Sequence, residues 1–207
     1  KQEGLGHAIY QAAHTFGNDE IFIILGDTIF DVDLDAVIAL GANALGLKYV
    51  DDPKRFGVAI IENGKIKQLV EKPEVPPSNM AIVGLYYIKN SQKLAECLRS
   101  NIENNRRTRG EFQLTDALQM MLDQGEEMVP FTVDGWYDCG KPETLLETNR
   151  FLLSKHHDSN GSGKVVINPP CYIHSSALIE NSVAGPFVTV SEGVKITDSV
   201  VKNSIIG

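Results

Sequence analysis

Hydrophobic residues follow two different spacings along the first 155 positions, one typical of strands and one typical of helices. Apolar runs predict strands at 21–27, 45–50, 80–89 and 127–133. Helical spacing predicts helices at 8–16, 32–44, 91–104, 112–124 and 142–155. Alternation of strands and helices indicates a layered α/β domain.

Local signals sharpen three of these boundaries. Asp33 is placed to cap the helix at 32–44, and Pro142 suits a first helical turn. Asn63-Gly64 separates two alternating stretches, which predicts a tight β-hairpin between 56–62 and 65–72.

The run IFIILGD at 21–27 carries the first hint of chemistry. Its continuous apolar residues predict a strand buried on both faces, as in a parallel sheet. Ligands of such sheets bind beyond the carboxyl ends of the strands. Asp27 would then lie at the edge of a crevice, where a carboxylate suits Mg²⁺. A simple turn at Gly26-Asp27 is the alternative interpretation.

The pattern changes after residue 155. Residues 156–164, HHDSNGSGK, are polar and predict a linker, in which His156-His157 is interpreted as a solvated helix end rather than a metal pair. In 165–207, branched aliphatic residues recur six apart, at Ile167, Ile173 and Ile179. This period predicts an incomplete parallel β-helix, with an irregular β tail as the alternative. The predicted domains are therefore 1–155 and 165–207.

Charge and composition exclude several classes of protein. The net charge of −8 argues against a nucleic-acid surface. No apolar run approaches the roughly 20 residues that span a bilayer. The three cysteines are scattered without metal-ligand spacing, so we expect reduced thiols and a cytoplasmic protein without nucleic-acid or membrane partners.

Two further fragments could bind polar ligands. In the N-terminal segment, Gln2 offers a donor and an acceptor that suit the edge of a base, and the glycines Gly4 and Gly6 would allow close approach of a flat ligand. Glu71 can accept hydrogen bonds from sugar hydroxyls, and Lys72 is a point charge suited to phosphate. A solvated turn at Glu71-Lys72-Pro73 is the alternative interpretation.

The last two fragments concern the metal and phosphate. Asp138 lies in Trp136–Gly140, WYDCG, just before a predicted helix, and could hold one Mg²⁺ together with Asp27. Arg109 precedes the helix at 112–124 and could bind a phosphate with its two terminal nitrogens. A turn carboxylate and a solvated loop are the respective alternatives.

In this order and spacing, the fragments resemble the sugar-1-phosphate nucleotidyltransferases, in particular the glucose-1-phosphate thymidylyl- and uridylyltransferases. The matching pieces are GLGHA, LGD, FGV, EKP, GLY, RGEFQLTD and WYDCG, and they extend over residues 1–150. The resemblance implies a Rossmann-like layered sheet, and the tail looks like the left-handed β-helix of some members.

The resemblance also implies roles for individual residues. Asp27 and Asp138 would hold Mg²⁺, and Lys72 and Arg109 would bind the sugar phosphate. Contacts to the sugar would come from Gly57, Glu71 and Tyr86, and contacts to the base from Gln2 and the Gly6 backbone. The implied reaction joins a (d)NTP and a sugar-1-phosphate, with dTTP and glucose-1-phosphate favoured over UTP. A non-catalytic, nucleotide-sugar-binding paralogue is the alternative from another class.

One family feature has no match in residues 1–207. The Gly-rich loop that cradles the triphosphate in the family would precede GLGHA, and we find no such loop. We therefore expect these 207 residues by themselves to be inactive, as an N-terminally incomplete domain. We also expect a homo-oligomer, through the β-helix or otherwise. A second, acyl-transferring activity of the tail has only His174 in its favour.

Overall fold

The computed structural model describes residues 2–155 and 165–207, so the predicted linker with its two histidines lies outside the described residues. The chain divides into two compact units, Lys1–Gly26 with Phe30–Trp136, and Asp27–Ile29 with Tyr137–Gly207. The sequence placed the domain boundary after residue 155 instead. Within the described ranges, no helix is both long and apolar enough to cross a membrane.

The elements before residue 156 alternate largely as the sequence predicted. In chain order they are α1 (Leu5–Ala12), β1 (Ile21–Ile24), β2 (Thr28–Asp31), α2 (Leu34–Ile38), β3 (Asn43–Tyr49), β4 (Val58–Glu62), β5 (Lys65–Val70), β6 (Met80–Ile88), α3 (Ser91–Glu103), α4 (Leu114–Asp123), β7 (Met128–Thr132), β8 (Gly135–Asp138) and α5 (Pro142–Lys155).

The first unit is built on a mixed sheet in the order β5-β4-β6-β3-β7, with β1 also paired to β6. β1, β3 and β4 run antiparallel to β6, whereas β3 and β7 are parallel. Helices α3 and α4 supply much of the main core, through side chains such as Leu94, Leu98 and Leu118. Mixed α/β architecture is thus confirmed.

Strand β1 differs from the prediction of a fully buried parallel strand. It pairs antiparallel with β6, and its residues are half-buried, with Ile24 exposed by 52%. Ile21 and Ile23 pack against the main core, while Phe22 packs against a second cluster that includes Tyr87. Two apolar clusters on opposite faces explain why the run is continuously hydrophobic, although the strand is antiparallel.

Helix α2 is shorter than the predicted 32–44. The cap is confirmed, because Asp33 Oδ1 accepts hydrogen bonds from the backbone N–H groups of Asp35 and Ala36. The chain leaves the helical conformation at Gly41, whose φ is +66°. A left-handed glycine ends helices, so Asn43 joins β3 instead.

The predicted hairpin is confirmed. Asn63 and Gly64 both have positive φ, 51° and 75°, as a two-residue primed turn requires. Glu62 lies opposite Lys65, and β4 and β5 pair over their lengths.

The C-terminal residues form short parallel strands. They are β9 (Val166–Ile167), β10 (Cys171–Ile173), β11 (Leu178–Glu180), β12 (Val183–Ala184), β13 (Val188–Val190), β14 (Lys195–Thr197), β15 (Val200–Val201) and β16 (Ser204–Ile206).

These strands form three sheets, β10-β13-β16, β11-β14 and β15-β12-β9. Cys171 pairs with Val188 and Leu178 with Lys195, each 17 residues further along the chain. Val188, Val190 and Ile196 are buried between the strands. The left-handed β-helix stays a prediction.

Candidate functional site

A buried carboxylate forms the centre of the candidate site in the first unit. Glu71 follows β5 directly, and its side chain is 8% exposed. Its Oε2 accepts a hydrogen bond of 2.6 Å from the hydroxyl of Thr115, in the first turn of α4. A buried carboxylate retains its charge only with such partners, so this arrangement keeps an acceptor available.

Tyr86 lies close to this carboxylate, in the middle of β6. Its side chain is buried, and burial together with the negative charge of Glu71 raises the pKa of the Tyr86 phenol well above its ordinary value. Tyr86 is therefore a neutral hydroxyl across the physiological pH range.

Gly57, the residue before β4, faces the same cluster. A Cβ at this position would lie 3.1 Å from Glu71 Oε2, from Thr115 Oγ1 and from Ile82 Cδ1. Only a residue without a side chain leaves these two polar oxygens undisturbed. The structure thus brings together Gly57, Glu71 and Tyr86, as the sequence predicted.

Lys72 stands at the exposed side of the cluster. Its Nζ lies 3.4 Å from Glu71 Oε1, and its side chain is 41% exposed. The residue has a φ of 40°, stabilised by a hydrogen bond from its N–H to the carbonyl of Phe56. A left-handed conformation is uncommon for a non-glycine residue, and such residues cluster at ligand sites.

Trp136 adds a buried donor to this unit. Its ring meets Phe56 edge to face, with centroids 5.1 Å apart at 72°. In the described part of the chain, its Nε1 is buried and has no hydrogen-bond partner. A buried donor without a hydrogen-bond partner costs free energy, and a bound ligand could remove that cost. The indole N–H is therefore a candidate donor to a ligand oxygen.

Thr115 and Asp116 were not singled out from the sequence, although both belong to the RGEFQLTD motif. Burial, and then the charge of Glu71, raise the pKa of the Asp116 carboxyl above its usual value, while a hydrogen bond from Thr108 opposes the rise. The cluster therefore contains a second carboxylate, near the loop that precedes α4.

Arg109 lies at the exposed tip of that loop. Thr108 and Glu111 exchange backbone hydrogen bonds of 3.0 and 3.2 Å around Arg109 and Gly110, which both have positive φ. Within the described residues, the Arg109 side chain forms no hydrogen bond or ion pair. Its predicted phosphate contact stays a prediction.

The side chain of the nearby Arg107 makes contacts within the protein. Arg107 forms a 2.6 Å ion pair with Glu3 and lies 3.8 Å above the Phe112 ring. Part of the basic cluster at 106–109 therefore anchors the N-terminal segment.

The N-terminal glycines approach residues 111–113 closely. Gly6 N–H donates to Phe112 O at 2.8 Å, and a Cβ at Gly6 would lie 2.9 Å from that oxygen. A Cβ at Gly4 would lie 2.7 Å from the same atom. The N–H of Gly6 is thus already hydrogen-bonded within the chain, whereas Gln2 is exposed, and the contact of the Gly6 backbone to a base stays a prediction.

Asp27 lies in the second unit, where backbone pairing brings it next to Asp138. Strand β2 pairs with β8, and the carbonyl oxygen of Asp27 accepts a 2.8 Å hydrogen bond from Cys139 N–H. The Asp27 side chain is exposed, and its Oδ1 accepts a hydrogen bond from Thr28. The sequence did not predict β2 or β8, since both are short and border turn residues.

The predicted magnesium site of Asp27 and Asp138 would have to be completed by a ligand. Among the described residues, no group of three or more His, Cys, Asp or Glu side chains could enclose a metal ion. Mg²⁺ typically binds one or two carboxylates and takes its remaining ligands from water and substrate phosphates. The backbone of Asp27 lies next to that of Cys139, the residue after Asp138, which is compatible with this mode of binding, and the magnesium site stays a prediction.

Comparison with known proteins identifies the family of the chain. The nucleotidyl transferase family profile matches residues 1–155. Low-salt glycan biosynthesis nucleotidyltransferase Agl11 from Haloferax volcanii is 36% identical over 157 residues, covering 72% of this chain and 43% of that protein. A glucose-1-phosphate thymidylyltransferase from Streptomyces antibioticus is 31% identical over 232 aligned positions, covering 98% of this chain and 64% of the enzyme.

Solved structures show the same fold. UDP-glucose pyrophosphorylase complexed with UDP-glucose matches with a TM-score of 0.62 and 27% identity, covering 75% of this chain and 64% of that chain. The present chain therefore spans less than two thirds of the length of each of these three proteins.

Proposed function

The chain belongs to the nucleotidyl transferase family, and we propose that the full-length protein joins a nucleoside triphosphate and a sugar-1-phosphate into a nucleotide sugar. The observation that carries this proposal is the buried Glu71–Thr115 pair beside Lys72. Its acceptor oxygens suit sugar hydroxyls, and the adjacent ammonium suits the phosphate of the same substrate.

The chemistry requires positioning and charge neutralisation rather than a general base. A phosphate oxygen of the sugar-1-phosphate is already anionic near neutral pH. It attacks the α-phosphorus, a new oxygen–phosphorus bond forms, and the bond to the bridging oxygen breaks to release pyrophosphate. The protein therefore has to align two anions and offset their repulsion.

Each proposed residue serves one of these needs. Lys72 and Arg109 bind and orient the sugar phosphate, while Glu71 orients the sugar through its hydroxyls. Asp27 and Asp138 would hold Mg²⁺, which when bound neutralises phosphate charge. Gln2, which is exposed, would contact the base.

We favour dTTP with glucose-1-phosphate, and UTP is the second candidate. The Streptomyces relative, a thymidylyltransferase, supports the first, and the structural similarity to UDP-glucose pyrophosphorylase supports the second. A non-catalytic paralogue is less consistent with the chain, because it would not need both Asp27 and Asp138. We further propose that the C-terminal strands coil into a left-handed β-helix and that the protein is a homo-oligomer.

Pyrophosphate release by the full-length gene product tests the proposal. The assay contains Mg²⁺ and glucose-1-phosphate, and compares dTTP, UTP, CTP, ATP and GTP. Release with dTTP or UTP that falls strongly in Glu71→Gln would support the assignment. The opposite outcome is a protein that binds a nucleotide sugar but releases no pyrophosphate with any of the five nucleotides, even when a panel of sugar phosphates is tried. That outcome would favour the non-catalytic alternative.

A further inference from the structure

We propose that the C-terminal strands position the Asp27–Asp138 pair, acting through α5 and a stacked pair of aromatic rings. Thr189, Asn149 and Phe151 are the positioning residues on this route. The inference rests on the proposed role of the two aspartates in metal binding. All of these residues belong to the second unit, Asp27–Ile29 with Tyr137–Gly207.

The route begins where α5 meets the C-terminal strands. Asn149 is 8% exposed, and its Oδ1 accepts a 2.5 Å hydrogen bond from the hydroxyl of Thr189 on β13. One helical position later, Arg150 Nε donates to Asn203 Oδ1 at 2.5 Å. The Arg150 guanidinium also lies 5.7 Å from the centroid of the Phe187 ring. The Thr189–Asn149 contact limits the rotation of α5, because a buried polar group accepts few alternative partners.

The second contact joins α5 to β8. The rings of Tyr137 and Phe151 stack with centroids 4.0 Å apart and planes inclined at 23°. Phe151 follows Asn149 by two positions, about 200° around the helix, so the hydrogen-bonded and stacking residues lie on opposite faces of the same helical turn. A rotation of α5 that relaxed the Thr189 contact would therefore displace the ring beneath Tyr137.

The last contact reaches the backbone of the two aspartates. Asp138 follows Tyr137 on β8, and the next residue, Cys139, donates its N–H to the carbonyl oxygen of Asp27. Any shift of β8 thus moves the backbone of both aspartates. The route from Thr189 to Asp27 is continuous and consists of side-chain and backbone contacts.

A two-carboxylate site is sensitive to such displacement. With few protein ligands, the affinity for the cation depends on the positions of both carboxylates and on those of the substrate phosphates. Loss of groups that orient metal ligands typically lowers metal affinity about 10–100-fold. We expect an effect near the lower limit, about tenfold, because Thr189 acts through several contacts.

The test compares Thr189→Val with Thr197→Val in the full-length protein. Valine matches threonine in shape and suits strands, so both variants should fold. Thr197 is exposed on β14 and lies outside the α5 contact, which makes it a matched control. Water-proton relaxation enhancement by Mn²⁺ measures cation binding directly, in the presence of the nucleotide that supports pyrophosphate release, and Asp27→Ala serves as the reference for a lost site.

We expect Thr189→Val to raise the Mn²⁺ concentration for half-maximal enhancement about tenfold, with Thr197→Val unchanged. Phe151→Leu should do the same, and the double variant should show less than the product of the two effects, since both interrupt one route. If Thr189→Val lowers the Tm but leaves Mn²⁺ binding unchanged, the strands contribute only to stability, and the inference is overturned. Equal enhancement in wild type and Asp27→Ala would instead remove the metal assignment on which it rests.

Discussion

Replacement of Gly57 by alanine isolates the geometry of the proposed sugar site. The added Cβ would lie 3.1 Å from Glu71 Oε2 and from Thr115 Oγ1, which are themselves joined by a 2.6 Å hydrogen bond. Ile82 Cδ1, also at 3.1 Å, is the end of a flexible side chain and can move. The polar pair has to separate by a few tenths of an ångström, and its short hydrogen bond is weakened.

The size of the effect follows from that hydrogen bond. A hydrogen bond to a charged group contributes about 1.5–3 kcal/mol. Since each 1.4 kcal/mol corresponds to a factor of ten, the loss is roughly 10- to 100-fold. We expect this loss in kcat/KM for sugar-1-phosphate, measured by pyrophosphate release from the full-length protein at saturating nucleotide.

Gly41→Ala is the control, because we expect it to lower stability without affecting the proposed sugar site. A Cβ at Gly41 meets no atom within 4 Å, but its φ of +66° is unfavourable for alanine. The cost is about 1–2 kcal/mol of stability, or roughly 2–4 °C in Tm per kcal/mol, without a change in kinetics. A Gly57→Ala enzyme with wild-type kcat/KM for sugar-1-phosphate, or with a defect confined to the nucleotide KM, would refute the reasoning.

Three further changes test the remaining groups. Asp27→Ala and Asp138→Ala should each lower turnover by about 10²-fold or more, and near-normal rates in both would remove the metal assignment. Lys72→Ala should raise KM for sugar-1-phosphate, and unchanged KM and kcat would exclude Lys72 from the site. Asp116→Asn concerns stability, because the pKa of Asp116 is raised in the folded protein. The folded state therefore binds this proton more tightly than the unfolded state. Stability is lost as the pH rises from 3.8, the ordinary pKa of the carboxyl, through the higher pKa of the folded state. The variant should melt above wild type at neutral pH and equal it in acid, and denaturation curves with no such pH-dependent difference would contradict this.

The elements that could be predicted from the sequence are those with local signals. Asp33 caps α2 and Asn63-Gly64 forms the hairpin turn because each acts through its own backbone neighbourhood. The orientation of β1 could not be predicted in this way. A continuous apolar run indicates that both faces of the strand pack against other elements. It does not indicate whether the neighbouring strand is parallel or antiparallel.

The candidate site shows the same division. Glu71 and Gly57 were identified from short motifs, and the structure brings them within contact distance. Asp116 was missed because its raised pKa depends on the burial of the first turn of α4, which only the fold creates. The close approach of the glycines at 4 and 6 is to residues 111–113 of the chain itself, and their contact to a base stays a prediction. Tight approach of backbone can serve a ligand or another segment, and the sequence does not distinguish the two.

The neighbouring positions of Glu71 and Lys72 constrain how a sugar phosphate can bind. An ionised Glu71 only accepts hydrogen bonds, whereas the ammonium of Lys72 only donates them. A phosphate placed on Glu71 would meet like charge in a buried setting, close to a second carboxylate at Asp116. The same phosphate placed on Lys72 meets opposite charge, and it leaves the hydroxyls of the sugar directed toward Glu71. Under the proposed function, two adjacent side chains of opposite hydrogen-bonding capacity would therefore select one orientation of the substrate.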